Sequence, residues 1–193
     1  MPFIDTHISG LFIFEPKVFE DIRGYFFESF NEKTFEEKGI NTNFVQDNQS
    51  KSSYGVLRGL HYQLNPFAQA KLVRVISGEV LDVALDIRNG SSTFGKHFSI
   101  ILSAENRKQL YIPRGFAHGF VVLSETAEFF YKCDNFYSKE NDAGIIYNDN
   151  QLQIDWKIPV DKLNISDKDK NLPLFTDARN NFEFDSLAYI DIE

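Results

Sequence analysis

A single cysteine, Cys133, stands in 193 residues, so no disulfide can form within the chain. The fold must be held by its core, which suits a reducing cytosol. Positive charge is also short: 20 Lys and Arg against 28 Asp and Glu leave a formal net charge of −8. That balance argues against a nucleic-acid binder, which needs a basic face to displace counterions. An anionic ligand must instead be met by local arginines and lysines. No apolar run approaches the length of a membrane span. The start, Met1-Pro2-Phe3-Ile4-Asp5-Thr6-His7, has neither a basic end nor an apolar stretch, so no secretory signal is expected there. Both nucleotide-binding glycine loops are missing, as are the G-x-S-x-G nucleophile elbow and the Cys/His spacing of a zinc site. The expectation is a cytoplasmic protein with no nucleic-acid or membrane partner.

What the chain does have is material for an interior. Hydrophobic residues make up 42% of it and aromatics 15%, including 20 Phe, enough for one domain over residues 1–193. Residues 11–14 and 25–30 are β-type runs separated by Asp21-Ile22-Arg23-Gly24, a turn by its Asp and Gly. Ser29 and Glu32 have capping-box spacing and Gly39 supplies a stop, which predicts a short helix from about 31 to 38. Beyond it strand signal dominates, at 72–76, 81–87, 96–102, 109–112, 118–123 and 127–133. Over 81–88, Leu81, Val83, Leu85 and Ile87 alternate with Asp82, Ala84, Asp86 and Arg88, the period of a half-buried strand. Short strands with turn residues between them predict an all-β antiparallel sandwich or barrel with one or a few short helices. After Pro159 the polar run from Asp161 to Lys170 reads as loops laid over the barrel, and Asn180–Glu193 as a strand or a docked tail.

The stretch Val56-Leu57-Arg58-Gly59-Leu60-His61-Tyr62-Gln63 carries the first hint of chemistry. As a strand it sends Leu57, Gly59 and His61 to one face and Arg58, Leu60 and Tyr62 to the other. Among small and apolar neighbours His61 can stay neutral near pH 7, the state a general base needs. The plainer reading is a core histidine satisfied by one hydrogen bond. Company favours a site: Lys71 opens the next apolar run, and His118 ends Pro113-Arg114-Gly115-Phe116-Ala117-His118. That last segment resembles the second half-motif of the cupin superfamily, P-x-G-x-x-H. Where the first half-motif would place H-x-H, the chain has His61-Tyr62-Gln63, so the second metal histidine is missing. Two histidines are too few for a dependable catalytic metal, which takes about three protein ligands. A jelly roll that keeps the pocket without the metal is the expectation.

In such a pocket His61 is a candidate base. Tyr131, in the run 127–133, is a candidate acid, since its phenol is protonated at neutral pH. Lys71 and Arg58 could stabilise an oxyanion or hold phosphates, or simply line a solvated strand face. Asp169 or Asp167 could orient His61, or be ordinary loop acids.

Seven segments together resemble the dTDP-4-dehydrorhamnose 3,5-epimerase family: residues 19–24, 46–50, 55–63, 71–75, 102–106, 115–120 and 166–169. Gly55-Val56-Leu57-Arg58-Gly59-Leu60-His61-Tyr62-Gln63 and Gly115-Phe116-Ala117-His118-Gly119-Phe120 are its most specific parts. The resemblance implies a metal-free, cofactor-free cupin-type jelly-roll barrel and a homodimer exchanging N-terminal strands, about residues 1–30. It also implies epimerisation at C3 and C5 of dTDP-4-dehydro-6-deoxy-D-glucose to dTDP-4-dehydro-L-rhamnose, on the way to dTDP-L-rhamnose for surface polysaccharide. Carried over by motif position, His61 is the base, Asp169 its orienting carboxylate, Tyr131 the proton donor and Lys71 the group that steadies the enolate. Arg23 and Arg58 match pyrophosphate ligands, Tyr137 the ring that stacks on thymine, and Glu28, Gln46, Asn48, His118, Asp142 and Lys168 further substrate contacts. Two alternatives stay open: a 5- or 3-epimerase of another nucleotide-linked 4-keto-6-deoxysugar, and a non-catalytic cupin sugar-binding protein.

Overall fold

The computed structural model describes residues 2–185. The chain opens with β1 (Phe3–Asp5) and β2 (Phe12–Phe14), then a hairpin of β3 (Val18–Asp21) and β4 (Gly24–Phe27). Helix α1 (Glu32–Glu37) leads to β5 (Gln46–Ser53), β6 (Val56–Gln63), β7 (Lys71–Ser77), β8 (Glu79–Asp86) and β9 (His97–Ser103). There follow β10 (Gln109–Ile112), β11 (Phe116–Val122), β12 (Thr126–Cys133), β13 (Asp142–Gly144), β14 (Asn164–Ile165) and the single turn α2 (Asp167–Lys170). One six-stranded sheet runs β1-β2-β10-β7-β12-β5. The other runs β13-β6-β11-β8-β9, with β14 added in parallel to β6. The two sheets form the cupin-type jelly roll.

The core between the sheets takes Val73 and Val75 from one side and Val80, Ala84, Phe116, Phe120 and Val122 from the other. Burying each large apolar side chain here stabilises the fold by roughly 1.5–3 kcal/mol. A second cluster covers the opposite face of β6, β8 and β11, where Leu57, Leu60, Leu81, Val83 and Leu85 meet Leu152, Trp156, Ile158 and Ile165 from the later chain. Strand β8 is therefore buried on both faces and not half-buried, as its alternation predicts. Asp82, Asp86 and Arg88 are interior groups, each at 2% exposure or less. They are tolerated because they are paired: Arg88 donates to both oxygens of Asp86, at 2.8 and 2.7 Å.

Helix α1 is shorter than its sequence signal and its cap is Asn31, not Ser29. The Asn31 side chain accepts from Lys33 N–H, while the Ser29 carbonyl accepts from Gln109. Gly39 does end the helix, at φ +85°, with its own N–H and that of Ile40 returning to Glu36 and Phe35. The polar run after Pro159 is more than loops, since it contains β14 and α2. Of the tail, Phe182 is buried in the second cluster and Glu183 bridges to Asn89; residues 186–193 lie outside the described residues. Strands β1, β3 and β5 had no clear sequence signal.

Candidate active site

Strand β6 does not alternate as a regular strand would. His61 faces His118 across the β6–β11 pair, but the next registered pair is Arg58 with Phe120. Between these pairs Gly59 and Leu60 of β6 oppose Gly119 alone, a bulge. Gly59 occupies it at φ +124°, and a Cβ there would lie 2.5 Å from the Cα of Gly119. The consequence is that Arg58 and His61 both line one cleft, while Leu57, Leu60 and Tyr62 pack in the outer cluster. The even division into two faces is overturned by that one extra residue.

The cleft measures about 610 Å³ and shares Phe120 and Phe129 with the inter-sheet core. Around it stand Asn48 of β5, Arg58 and His61 of β6, Lys71 of β7, His118 of β11, Tyr131 of β12 and Lys168 and Asp169 of α2. His61 donates from Nε2 to Asp169 Oδ1 at 2.7 Å. The second Asp169 oxygen accepts from the Gly59 backbone N–H at 3.3 Å. Ser166 Oγ accepts from Asp169 N–H and so caps the turn that presents the carboxylate. Asp169 is only 3% exposed. Burial pushes its carboxyl up, but the His61 hydrogen bond and charge and the Gly59 amide hold it below the ordinary range. Asp167, the other candidate, is exposed, and its carboxylate meets Lys170 at 3.5 Å.

Lys71 sits at the head of β7, beside Cys133 in the ladder. Burial pulls its ammonium below the usual lysine range, against the electrostatic pull of Cys133, Asp82 and Asp142. The Lys71 Nζ lies 5.9 Å from the centre of the Tyr131 ring. Tyr131 has its phenol pushed up by burial and by Cys133, and Arg58 opposes this; it is protonated at neutral pH. His118 donates from Nε2 to Asp82 Oδ2 at 2.9 Å. Burial holds its imidazole below the usual histidine range despite Asp82, with Lys71 and His61 acting in the same direction as burial.

The other sequence-predicted residues divide into two groups. Arg58 is held by Ser52 Oγ at 3.2 Å, Gln46 bonds Asn48, and Asp142 takes both Lys168 and the Tyr137 hydroxyl on one oxygen. Arg58, Asn48 and Lys168 line the cleft, whereas Gln46, Asp142 and Tyr137 are tied to its lining through these bonds without lining it themselves. Arg23 and Glu28 do not reach it. Both are exposed on or just after the β3–β4 hairpin, where Arg23 pairs with Asp21 and the hairpin borders a separate hollow with Arg74 and Arg107. Sequence reading passed over Ser52, Ser166 and Asp82. An acid among apolar residues on a strand that proves buried on both faces was the available sign for Asp82.

The residues do not fit a metal. Nε2 of each cleft histidine is committed to a carboxylate, and no group of three His, Cys, Asp or Glu converges among the described residues. No helix among them is long and apolar enough to cross a membrane. Fold and cleft together define a cupin-type barrel whose cleft holds an imidazole–carboxylate pair and a phenol. The family model described as dTDP-4-dehydrorhamnose 3,5-epimerase matches residues 5–177. A protein of that name from Shigella flexneri is 59% identical over 179 residues, covering 92% of this chain and 98% of its own. The crystal structure of such an epimerase from Elizabethkingia anophelis NUHP1 superposes with a TM-score of 0.88 at 60% identity, covering 91% of this chain and 96% of that one. A Legionella pneumophila Philadelphia 1 epimerase, crystallised with dTDP-4-keto-L-rhamnose, gives 0.87 at 52%, over 90% and 92%. The chain belongs to the dTDP-4-dehydrorhamnose 3,5-epimerase family and is an isomerase of that kind.

Proposed function

We propose that this chain epimerises dTDP-4-dehydro-6-deoxy-D-glucose at C3 and C5, giving dTDP-4-dehydro-L-rhamnose without a metal or cofactor. The observation that carries this reading is a carboxylate-held imidazole, His61 with Asp169, sharing one cleft with the protonated phenol of Tyr131. The C4 ketone of such a sugar acidifies the hydrogens on both neighbouring carbons. With Nε2–H on Asp169, the remaining His61 nitrogen, Nδ1, is the one to take a proton. Lys71 stabilises the enolate oxygen, and Tyr131 returns a proton from the opposite face. Arg58, Asn48, Gln46, His118 and Lys168 hold the substrate, with Asp142 fixing Lys168 and Tyr137 stacking on the base.

Arg23 and Glu28 join a cleft only from a second copy, which makes the functional unit a homodimer. The β3–β4 hairpin suits that reading because it forms its own small sheet and leaves Phe19, Ile22 and Phe26 largely bare. The single buried thiol fits a cytoplasmic setting. The deciding experiment is incubation with dTDP-4-dehydro-6-deoxy-D-glucose in deuterated water. Label at both C3 and C5 is expected. Label at one carbon would make the chain a mono-epimerase, and binding without label a sugar-binding protein.

A further inference from the structure

Behind the cleft lies a carboxylate that the reaction as described leaves unused. Asp82 sits on the inner face of β8, fully buried between Val80 and Ala84. Its Oδ2 accepts from His118, and its Oδ1 is buried with no partner. A charged group so placed is costly unless something nearby needs it. One cleft side chain does. The His118 ring is fixed on one face by stacking against Phe129, with centroids 6.1 Å apart, and at Nε2 by Asp82. His118 and His61 are partners across the β6–β11 ladder, so two imidazole–carboxylate pairs stand side by side.

We propose that Asp82 is a positioning residue for the reaction: it fixes the ring and tautomer of His118, so that Nδ1 is left to accept from the sugar. This rests on the epimerase reading and extends it to a residue behind the surface that touches substrate. The His61–Asp169 pair performs proton transfer. The His118–Asp82 pair, its imidazole held below the usual histidine range by burial, instead receives a hydroxyl hydrogen at Nδ1. The charged and titratable groups acting on His118 are Asp82, Lys71 and His61.

Asp82→Asn keeps the shape and removes the charge. Its kcat is expected to fall roughly ten- to a hundredfold, the size usual for a group that orients a working histidine, with dTDP affinity within about twofold of wild type. Wild-type kcat in a folded Asp82→Asn protein would overturn the proposal. Should that variant not fold, nitrogen-15 NMR of the wild-type imidazoles decides: Nε2–H on His118 supports the assignment and Nδ1–H refutes it. Wild-type turnover, measured alongside, tests the epimerase reading separately, since the NMR result does not depend on activity.

Discussion

His61 and Asp169 meet at 2.7 Å although 108 positions separate them in the chain. With the carboxylate in place His61 is the Nε2–H tautomer, and without it the ring can take either form. His61→Asn is therefore expected to lower turnover by about 10³-fold while dTDP still binds, because acid–base groups typically contribute 10²–10⁴. Calorimetric titration with dTDP beside a deuterium-exchange assay checks both halves. Tyr131→Phe removes the returning proton and leaves the base, so exchange of substrate hydrogen should persist while epimerised product falls. A variant that forms product at the wild-type rate would remove Tyr131 from the proposed scheme. At this scale the sequence was informative about residue types and less so about pairings. Asp167 and Asp169 are alike in composition, and only the single turn of α2, capped by Ser166, turns one inward and the other to solvent.

Among the elements, β6 depends on Gly59. Any Cβ there meets the β11 backbone, and φ +124° is closed to other residues. Gly59→Ala should cost at least about 2 kcal/mol by urea unfolding and disable the site, since the bulge puts Arg58 and His61 on one face. The turn after β8 has a comparable anchor. Burial pushes the Asp86 carboxyl up, but bonds from Arg88, Thr93 and Ser91 hold it below its usual range. A lowered folded value means stability fully present above the unfolded pKa of about 3.9 and lost as pH falls through the folded one. Arg88→Met should cost about 3–5 kcal/mol at pH 7, and that gap should narrow below about pH 4 in the same unfolding measurement. Strands β10, β11 and β12 were legible because their apolar runs are bounded by Pro, Gly, Ser or Asn. Strand β5, Gln-Asp-Asn-Gln-Ser-Lys-Ser-Ser, was not, because it is a sheet edge whose residues reach the polar cleft and solvent instead of a core. The bulge was hidden for another reason: Gly59 answers to Gly119, which no local pattern reveals.

For the molecule as a whole, the jelly roll was foreseeable from strand density and its two-sided burial was not. Local alternation cannot show that residues 143–182 supply a second apolar layer over β8. The proposed dimer gives a whole-molecule prediction. Neither Arg23→Ala nor His61→Asn should be active alone, but mixed subunits should recover up to about a quarter of wild-type activity. Half the dimers are then hybrids, each with one intact site. Absence of any recovery after subunit exchange, verified by mass spectrometry, would mean that Arg23 serves its own chain or none.

Asp169 hangs from the barrel by a two-residue strand and a four-residue turn, whereas His61 sits in the middle of an eight-residue strand. Segments so lightly attached open before the body they rest on. Gentle warming should therefore silence the enzyme several degrees before the barrel itself melts, and cooling should revive it, as the peeled turn settles back and the imidazole regains its orientation.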